Sequence, residues 1–157
     1  MISFFLFIVT IAQELKSAGY RTNIIGKWDV GFSTNSKRPN YRGFDYFYGY
    51  SSFEIDYYTK KLTDKQSTDL WENNELVTNQ TELSNSLYSA YLWSQYAEEV
   101  IANHSMYHSS QPMFLYFASQ LIHDPFEAPA EYQAKCKGEV NIINYDFLII
   151  ILICSND

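Results

Sequence analysis

The chain has 157 residues, of which 46% are hydrophobic and 18% charged, and its formal net charge is −7. This length favours one domain, because a domain of this size buries roughly 70% of the surface that its unfolded chain exposes. The 11 lysines and arginines are scattered, which argues against nucleic-acid binding, since that requires a clustered basic face. Two cysteines, Cys136 and Cys154, are too few for a disulfide framework and have no metal-ligand spacing.

The first predicted elements are a short helix and a strand. Apolar residues recur at helical spacing in residues 10–18, and Gly19 directly afterwards is typical of a helix end. Residues 20–25 then favour a short strand whose end delivers Lys27 into a loop. This order predicts a layered α/β fold, in which ligands bind beyond the strand ends.

The middle and end of the chain predict a loop, a helix and a buried strand. Residues 33–80 contain many turn formers and little periodicity, so we expect a long loop pinned by aromatic side chains. Residues 56–58 are interpreted as loop packing within it, with the border of a substrate cleft as the alternative. A helix is predicted over 86–102, and the apolar run 113–118 is typical of a central strand, with His123 following its end.

Four ordered motifs resemble the sulfatase family, closest to its arylsulfatase B-like branch. They are GYRTNII at residues 19–25, GKWDVG at 26–31, PNYRGFDYFYG at 39–49 and QLIHDP at 120–125. The resemblance covers residues 10–135, whereas residues 1–9 and 136–157 are atypical apolar ends outside it. It implies an internal fragment of the N-terminal catalytic domain, a partial alkaline-phosphatase-like layered α/β domain with an incomplete sheet.

By resemblance, the function is hydrolysis of a sulfate monoester, on a sulfated sugar or an aryl sulfate. Lys27 would contact the sulfate as a fixed cation, which neutralises the charge that develops on its oxygens. His123 would lie beside the ester oxygen that departs, and an imidazole can give that oxygen a proton near neutral pH. Asp29 stands where the family has a histidine that helps regenerate the nucleophile, so we expect impaired turnover.

The resemblance also shows which catalytic parts this chain lacks. The family nucleophile is a formylglycine made from cysteine within Cys-x-Pro-x-Arg, and neither Cys136 nor Cys154 begins that motif. The family binds calcium through carboxylate pairs that are not recognisable here, and calcium takes about six to eight oxygen ligands. We therefore predict no metal-ligating or cofactor-binding residues and no cofactor bound by this chain, which alone is expected to hydrolyse nothing.

Two sequons and an apolar start bear on localisation. Asn79 and Asn103 each begin an Asn-x-Ser/Thr tripeptide and are candidate glycosylation sites, whereas His104 and His108 are expected to be solvated. Residues 2–12 lack the basic start and the cleavage site of a signal peptide, and they are shorter than the about 20 residues of a bilayer span. The family resemblance implies a lysosomal, endoplasmic-reticulum or secreted protein.

Two alternatives remain open from the sequence. The chain could be a non-catalytic secreted glycoprotein that binds sulfated glycans through Lys27 and His123 on a sulfatase scaffold. It could also fail to fold, because residues 113–118 need neighbouring strands to be buried.

Overall fold

The computed structural model describes residues 8–62 and 67–133, and the backbone of residues 149–154. It contains both helices and strands, as expected of an α/β fold. They are α1 (Ile11–Ser17), β1 (Arg21–Lys27), β2 (Tyr46–Tyr50), β3 (Trp71–Glu72), β4 (Glu75–Leu76), α2 (Ser89–Tyr107), β5 (Met113–Ala118), α3 (Ala130–Gln133) and β6 (Ile149–Cys154).

The strands form one mixed sheet with β1 near its centre. The strand order is β4-β3-β2-β1-β5-β6. β1 is parallel to both β2 and β5, whereas β3 and β4 are antiparallel on one side and β6 is antiparallel on the other. Because β1, β2 and β5 run in the same direction, their carboxyl ends meet at one edge of the sheet.

The two faces of the sheet bury different apolar clusters. Successive side chains of a strand point to opposite faces, so Ile24 and Ile25 of β1 enter different clusters. Ile25 packs with Trp93 of α2 on one face, and Ile24 packs with Ala12 of α1 on the other. The predicted α/β layering is confirmed, because the sheet has a helix on each of its faces.

The first predicted helix is confirmed, and its cap explains where it starts. The Thr10 hydroxyl accepts a hydrogen bond from the Gln13 amide, and the Gln13 side chain accepts one from the Thr10 amide. This reciprocal pair is a capping box, which satisfies two amides that a helix start leaves unpaired. The second predicted helix also forms, but α2 begins at Ser89 and ends at Tyr107 instead of spanning 86–102.

The prediction that residues 33–80 form a long loop is wrong. Residues Tyr46–Tyr50 form β2, which pairs with β1 from Asn23↔Tyr46 to Lys27↔Tyr50. Aromatic residues favour strands, but Gly49 and the turn formers around them obscured the signal. Gly49 is required by the pairing, because a Cβ there would lie 1.9 Å from the Gly26 carbonyl oxygen.

The strand predicted at residues 113–118 is confirmed at the same boundaries. Its second edge pairs with β6, from Met113↔Cys154 to Ala118↔Ile149. The predicted atypical ends, 1–9 and 136–157, lie outside the described residues except for 8, 9 and 149–154.

Candidate functional site

The carboxyl ends of β1 and β5 lie side by side at one edge of the sheet. Lys27 is the last residue of β1 and lies opposite Tyr50, the last residue of β2. Gly26 lies opposite Ala118, the last residue of β5, and His123 follows in the loop beyond. Lys27 and His123 therefore extend from adjacent strand ends, at the edge where ligands gather in open α/β sheets.

The turn after Lys27 is held by Trp28. The indole N–H of Trp28 donates to the carbonyl oxygens of Gly31 and Lys37, both at 2.9 Å. Its ring is buried and makes an edge contact with Phe44, with centroids 6.0 Å apart. A buried indole with its polar group satisfied is a rigid anchor, so the backbone that carries Lys27 and Asp29 is fixed from the side of the core.

Lys27 is a nearly buried cation with a carboxylate next to it. Its side chain is 10% exposed, that of Asp29 is 49% exposed, and the ammonium lies 3.6 Å from an Asp29 carboxylate oxygen. Asp29 has φ of 51°, a left-handed conformation that Asp, Asn and His adopt more readily than most residues. The backbone thus accommodates Asp29 at the position where the resemblance to sulfatases implies a histidine. The negative charge of the Asp29 carboxylate opposes the positive charge of the Lys27 ammonium.

His123 lies in the loop after β5 with one ring nitrogen occupied. Its Nδ1 is 3.0 Å from the Asp124 carbonyl oxygen. A carbonyl only accepts hydrogen bonds, so Nδ1 carries the proton and donates it. An imidazole can give or take a proton near neutral pH, so His123 has the chemistry of a proton donor or acceptor.

Sequence reasoning missed the role of Tyr57, which holds the His123 loop. Its hydroxyl lies 2.9 Å from the Gln120 carbonyl oxygen and 3.1 Å from the His123 carbonyl oxygen, and it accepts from the His123 amide at 3.2 Å. The residue is buried, and burial raises the pKa of its phenol. A buried tyrosine usually finds a partner for its hydroxyl, but the sequence could not identify one so distant along the chain.

The surroundings of the site are acidic. Burial raises the pKa of Tyr50, and Tyr57, Asp29, Asp69 and Glu54 raise it further through their charges.

Tyr57 also meets a carboxyl group in the His123 loop. The Tyr57 amide donates to the Glu127 carboxylate at 3.0 Å. Burial raises the pKa of Glu127 and the charge of Asp56 adds to this, while the hydrogen bond from Tyr57 acts in the opposite direction.

The two sequons have different environments. Asn79 is exposed, accepts from the Thr81 amide at 3.0 Å and donates to Glu82 at 2.6 Å. Asn103 is exposed on α2 and lines a cavity of about 370 Å³ with His104 and His108. These two histidines are both half-buried, and the His104 Nε2 atom lies 2.8 Å from the Gln111 carbonyl oxygen.

The described part of the chain does not fit a calcium site. Within residues 8–62 and 67–133, no three His, Cys, Asp or Glu side chains converge in a way that could hold a metal ion. No helix within the same residues is long and apolar enough to cross a membrane.

Comparison with known proteins gives the family. The family model described as Sulfatase matches residues 5–145. The chain belongs to the sulfatase family. The sulfatase family acts on sulfate esters.

Similar proteins include enzymes from a mammal and a bacterium. Arylsulfatase J of Mus musculus is 35% identical over 136 residues, which cover 85% of this chain and 22% of the relative. The arylsulfatase of Klebsiella aerogenes is 26% identical over 136 residues, covering 84% of this chain and 28% of the relative. The chain thus spans less than a third of either relative.

Solved structures show the same architecture. Ps i-CgsB, crystallised in complex with k-i-k-neocarrahexaose, has a TM-score of 0.72 and 25% identity, over 91% of this chain and 32% of that one. The prediction of a partial alkaline-phosphatase-like domain is confirmed by this likeness.

Proposed function

We propose that the carboxyl edge of β1, β2 and β5, called here the Lys27 edge, binds the sulfate group of a sulfate monoester. This chain would then supply the cation and the proton donor of a sulfuric ester hydrolase. The observation that carries this proposal is the nearly buried ammonium of Lys27 at the carboxyl end of a central parallel strand. A charge in such a partly dry position interacts more strongly with an anion than one in bulk water does. Membership of the sulfatase family supports sulfate as that anion.

Each residue then has a distinct task. Lys27 neutralises the negative charge that grows on the sulfate oxygens as the ester bond to sulfur breaks. His123 acts as its imidazolium and gives a proton to the departing ester oxygen, while the bond between that oxygen and sulfur breaks and sulfur bonds to a nucleophile outside the described residues. The products on this side are an alcohol or phenol and a neutral imidazole, and the Asp124 carbonyl keeps the Nδ1 proton in place.

Asp29 favours a second candidate, a sulfated-glycan binding module without turnover. Its carboxylate lies within 3.6 Å of the Lys27 ammonium, so it would face the bound sulfate and weaken it by like-charge repulsion. It also stands where the family uses histidine as a proton acceptor, and neither Cys136 nor Cys154 begins the family's nucleophile motif. This chain alone would therefore bind esters and leave their hydrolysis to parts beyond it.

The complete protein carries further expectations from the family. We propose that it acts on a sulfated sugar or an aryl sulfate, with formylglycine and calcium held by residues outside those described here. We further propose a lysosomal, endoplasmic-reticulum or secreted glycoprotein with glycans at Asn79 or Asn103, both of which are exposed.

The test is binding and turnover of 4-nitrophenyl sulfate by the purified chain, followed by NMR titration and by release of 4-nitrophenol with calcium present. We expect binding without release, and a loss of affinity of about tenfold or more in Lys27→Ala. Lys37→Ala is the control, because it removes the same charge from a nearby lysine whose ammonium donates to the Ser33 hydroxyl at 3.4 Å. Equal losses in both variants, or no binding by the wild type, would overturn the proposal, and turnover that depends on Lys27 would refute the binding-module alternative.

A further inference from the structure

The phenol of Tyr57 contacts the loop that carries His123 at two of its residues. The hydroxyl of Tyr57 contacts the backbone of this loop at Gln120 and at His123, through two carbonyl oxygens and one amide. These contacts join residues 63 and 66 positions apart in the chain. One side-chain oxygen therefore fixes both the entry to the loop and the residue that carries the imidazole.

The ring of Tyr57 is itself held in place. It stacks on Tyr88 with centroids 5.1 Å apart and planes 12° from parallel. The hydroxyl of Tyr88 donates to the Glu127 carbonyl oxygen at 2.9 Å, and the Glu127 carboxylate accepts from the Tyr57 amide at 3.0 Å. Tyr57, Tyr88 and Glu127 thus form a closed ring of contacts that ties the end of the loop, at Glu127, to Tyr57.

The side chain of Gln120 anchors the start of the same loop by separate bonds. Its Oε1 accepts from the Ser89 hydroxyl at 2.7 Å, and its Nε2 donates to the Ile55 carbonyl oxygen at 2.6 Å. The entry to the loop thus has support from α2 that does not depend on Tyr57. The Tyr57 hydroxyl contacts both the amide and the carbonyl oxygen of His123, so the phenol acts directly on the backbone of the residue that carries the imidazole.

We propose that Tyr57 is a positioning residue that sets the orientation and the tautomer of His123. By fixing the amide and the carbonyl of His123, the phenol fixes the backbone from which the ring extends and keeps Nδ1 directed at the Asp124 carbonyl. The use of this arrangement for the departing ester oxygen rests on the function proposed above, whereas the positioning itself does not.

The experiment uses the full chain labelled with ¹⁵N and compares Tyr57→Phe with Tyr58→Phe. Both variants remove one hydroxyl from the same turn and keep an aromatic ring, but only the hydroxyl of Tyr57 contacts the His123 backbone. Three quantities are measured: hydrogen exchange of the His123 amide, the ¹⁵N shifts of its two ring nitrogens, and the affinity for 4-nitrophenyl sulfate.

In Tyr57→Phe we expect exchange of the His123 amide to rise about tenfold, and its ring shifts to move toward a mixture of tautomers. Tyr58→Phe should match the wild type in both quantities. A purely structural role would lower the unfolding midpoint of Tyr57→Phe and leave the ring shifts of His123 as they are, so unchanged shifts in a folded variant would overturn the proposal.

Two further outcomes are decisive. If Tyr57→Phe does not fold, the wild type still tests the proposal, because its His123 amide must exchange at least about tenfold more slowly than an exposed amide; fast exchange would overturn it. If the wild type does not bind the sulfate ester, the function proposed above fails. Hydrogen exchange of the His123 amide and the ¹⁵N shifts of its ring nitrogens still test the positioning role of Tyr57. Ester binding with an unaltered His123 in Tyr57→Phe would refute the role of Tyr57 alone.

Discussion

Replacement of Gly26 by alanine tests the close approach of strands that builds the Lys27 edge. Gly26 directly precedes Lys27 and has φ of +106°. A Cβ added there would lie 2.0 Å from the carbonyl oxygen of Ala118 and 2.8 Å from its carbonyl carbon. Both atoms belong to the backbone of β5, so rotation of a side chain cannot relieve the overlap.

The expected loss of stability has two sources. An alanine at positive φ costs about 1–2 kcal/mol, and insertion of a methyl group into a packed region costs about 1–3 kcal/mol. Together they predict a loss of about 2–5 kcal/mol from the free energy of unfolding, which is only about 5–15 kcal/mol for a typical domain. The strands β1 and β5 must also separate at their carboxyl ends, which moves Lys27 away from the His123 loop.

Gly19→Ala is the matched control, because Gly19 has φ of +93° and no atom within 4 Å of an added Cβ. It should lose only the conformational part, about 1–2 kcal/mol. Urea unfolding followed by tryptophan fluorescence and far-UV dichroism measures both variants. Equal losses in Gly26→Ala and Gly19→Ala would refute the reasoning, because the contact with Ala118 would then contribute nothing.

Three further predictions concern charge, pH and capping. Asp29→Asn should raise the affinity for 4-nitrophenyl sulfate about two- to fivefold at low salt, because it removes a carboxylate 3.6 Å from Lys27; an unchanged affinity in NMR titration would contradict this. Burial raises the pKa values of Tyr48 and Tyr50 above 10.0, so their contribution to stability is complete below about pH 10 and is lost as the pH rises further. Tyrosinate absorbance and far-UV dichroism should then change together, and ionised tyrosines with native dichroism would be the contrary result. Thr10→Ala removes the capping box of α1 and should cost about 0.5–2 kcal/mol in urea unfolding, whereas an unchanged midpoint would show that the cap is not needed.

The elements that sequence patterns predicted well are those whose signal is local. β5 is a continuous run of strand formers from Met113 to Ala118, and α1 has helical spacing with a cap at one end and Gly19 after the other. The local sequence of β2 does not predict a strand, because β2 is stabilised by its pairing with β1. The placement of Gly49 against the Gly26 carbonyl is visible only when the two strands are side by side.

The residues of the candidate site also differ in how far the local sequence predicts them. Lys27 and His123 could be singled out because each follows a predicted strand and lies within a motif that resembles the sulfatase family. Their roles in binding and proton transfer remain predictions. Tyr57 was interpreted as loop packing, because nothing in the residues around it indicates a partner in the loop after β5.

Short patterns of residue type are enough to indicate the family, the α/β class, and Lys27 and His123 as residues that follow predicted strands. The position of Asp29 against the Lys27 ammonium and the contacts of the Tyr57 phenol with the His123 backbone are seen only in three dimensions. Hydrophobic periodicity and turn chemistry are properties of adjacent residues. The direction and length of a hydrogen bond between distant segments are set by how the whole core packs.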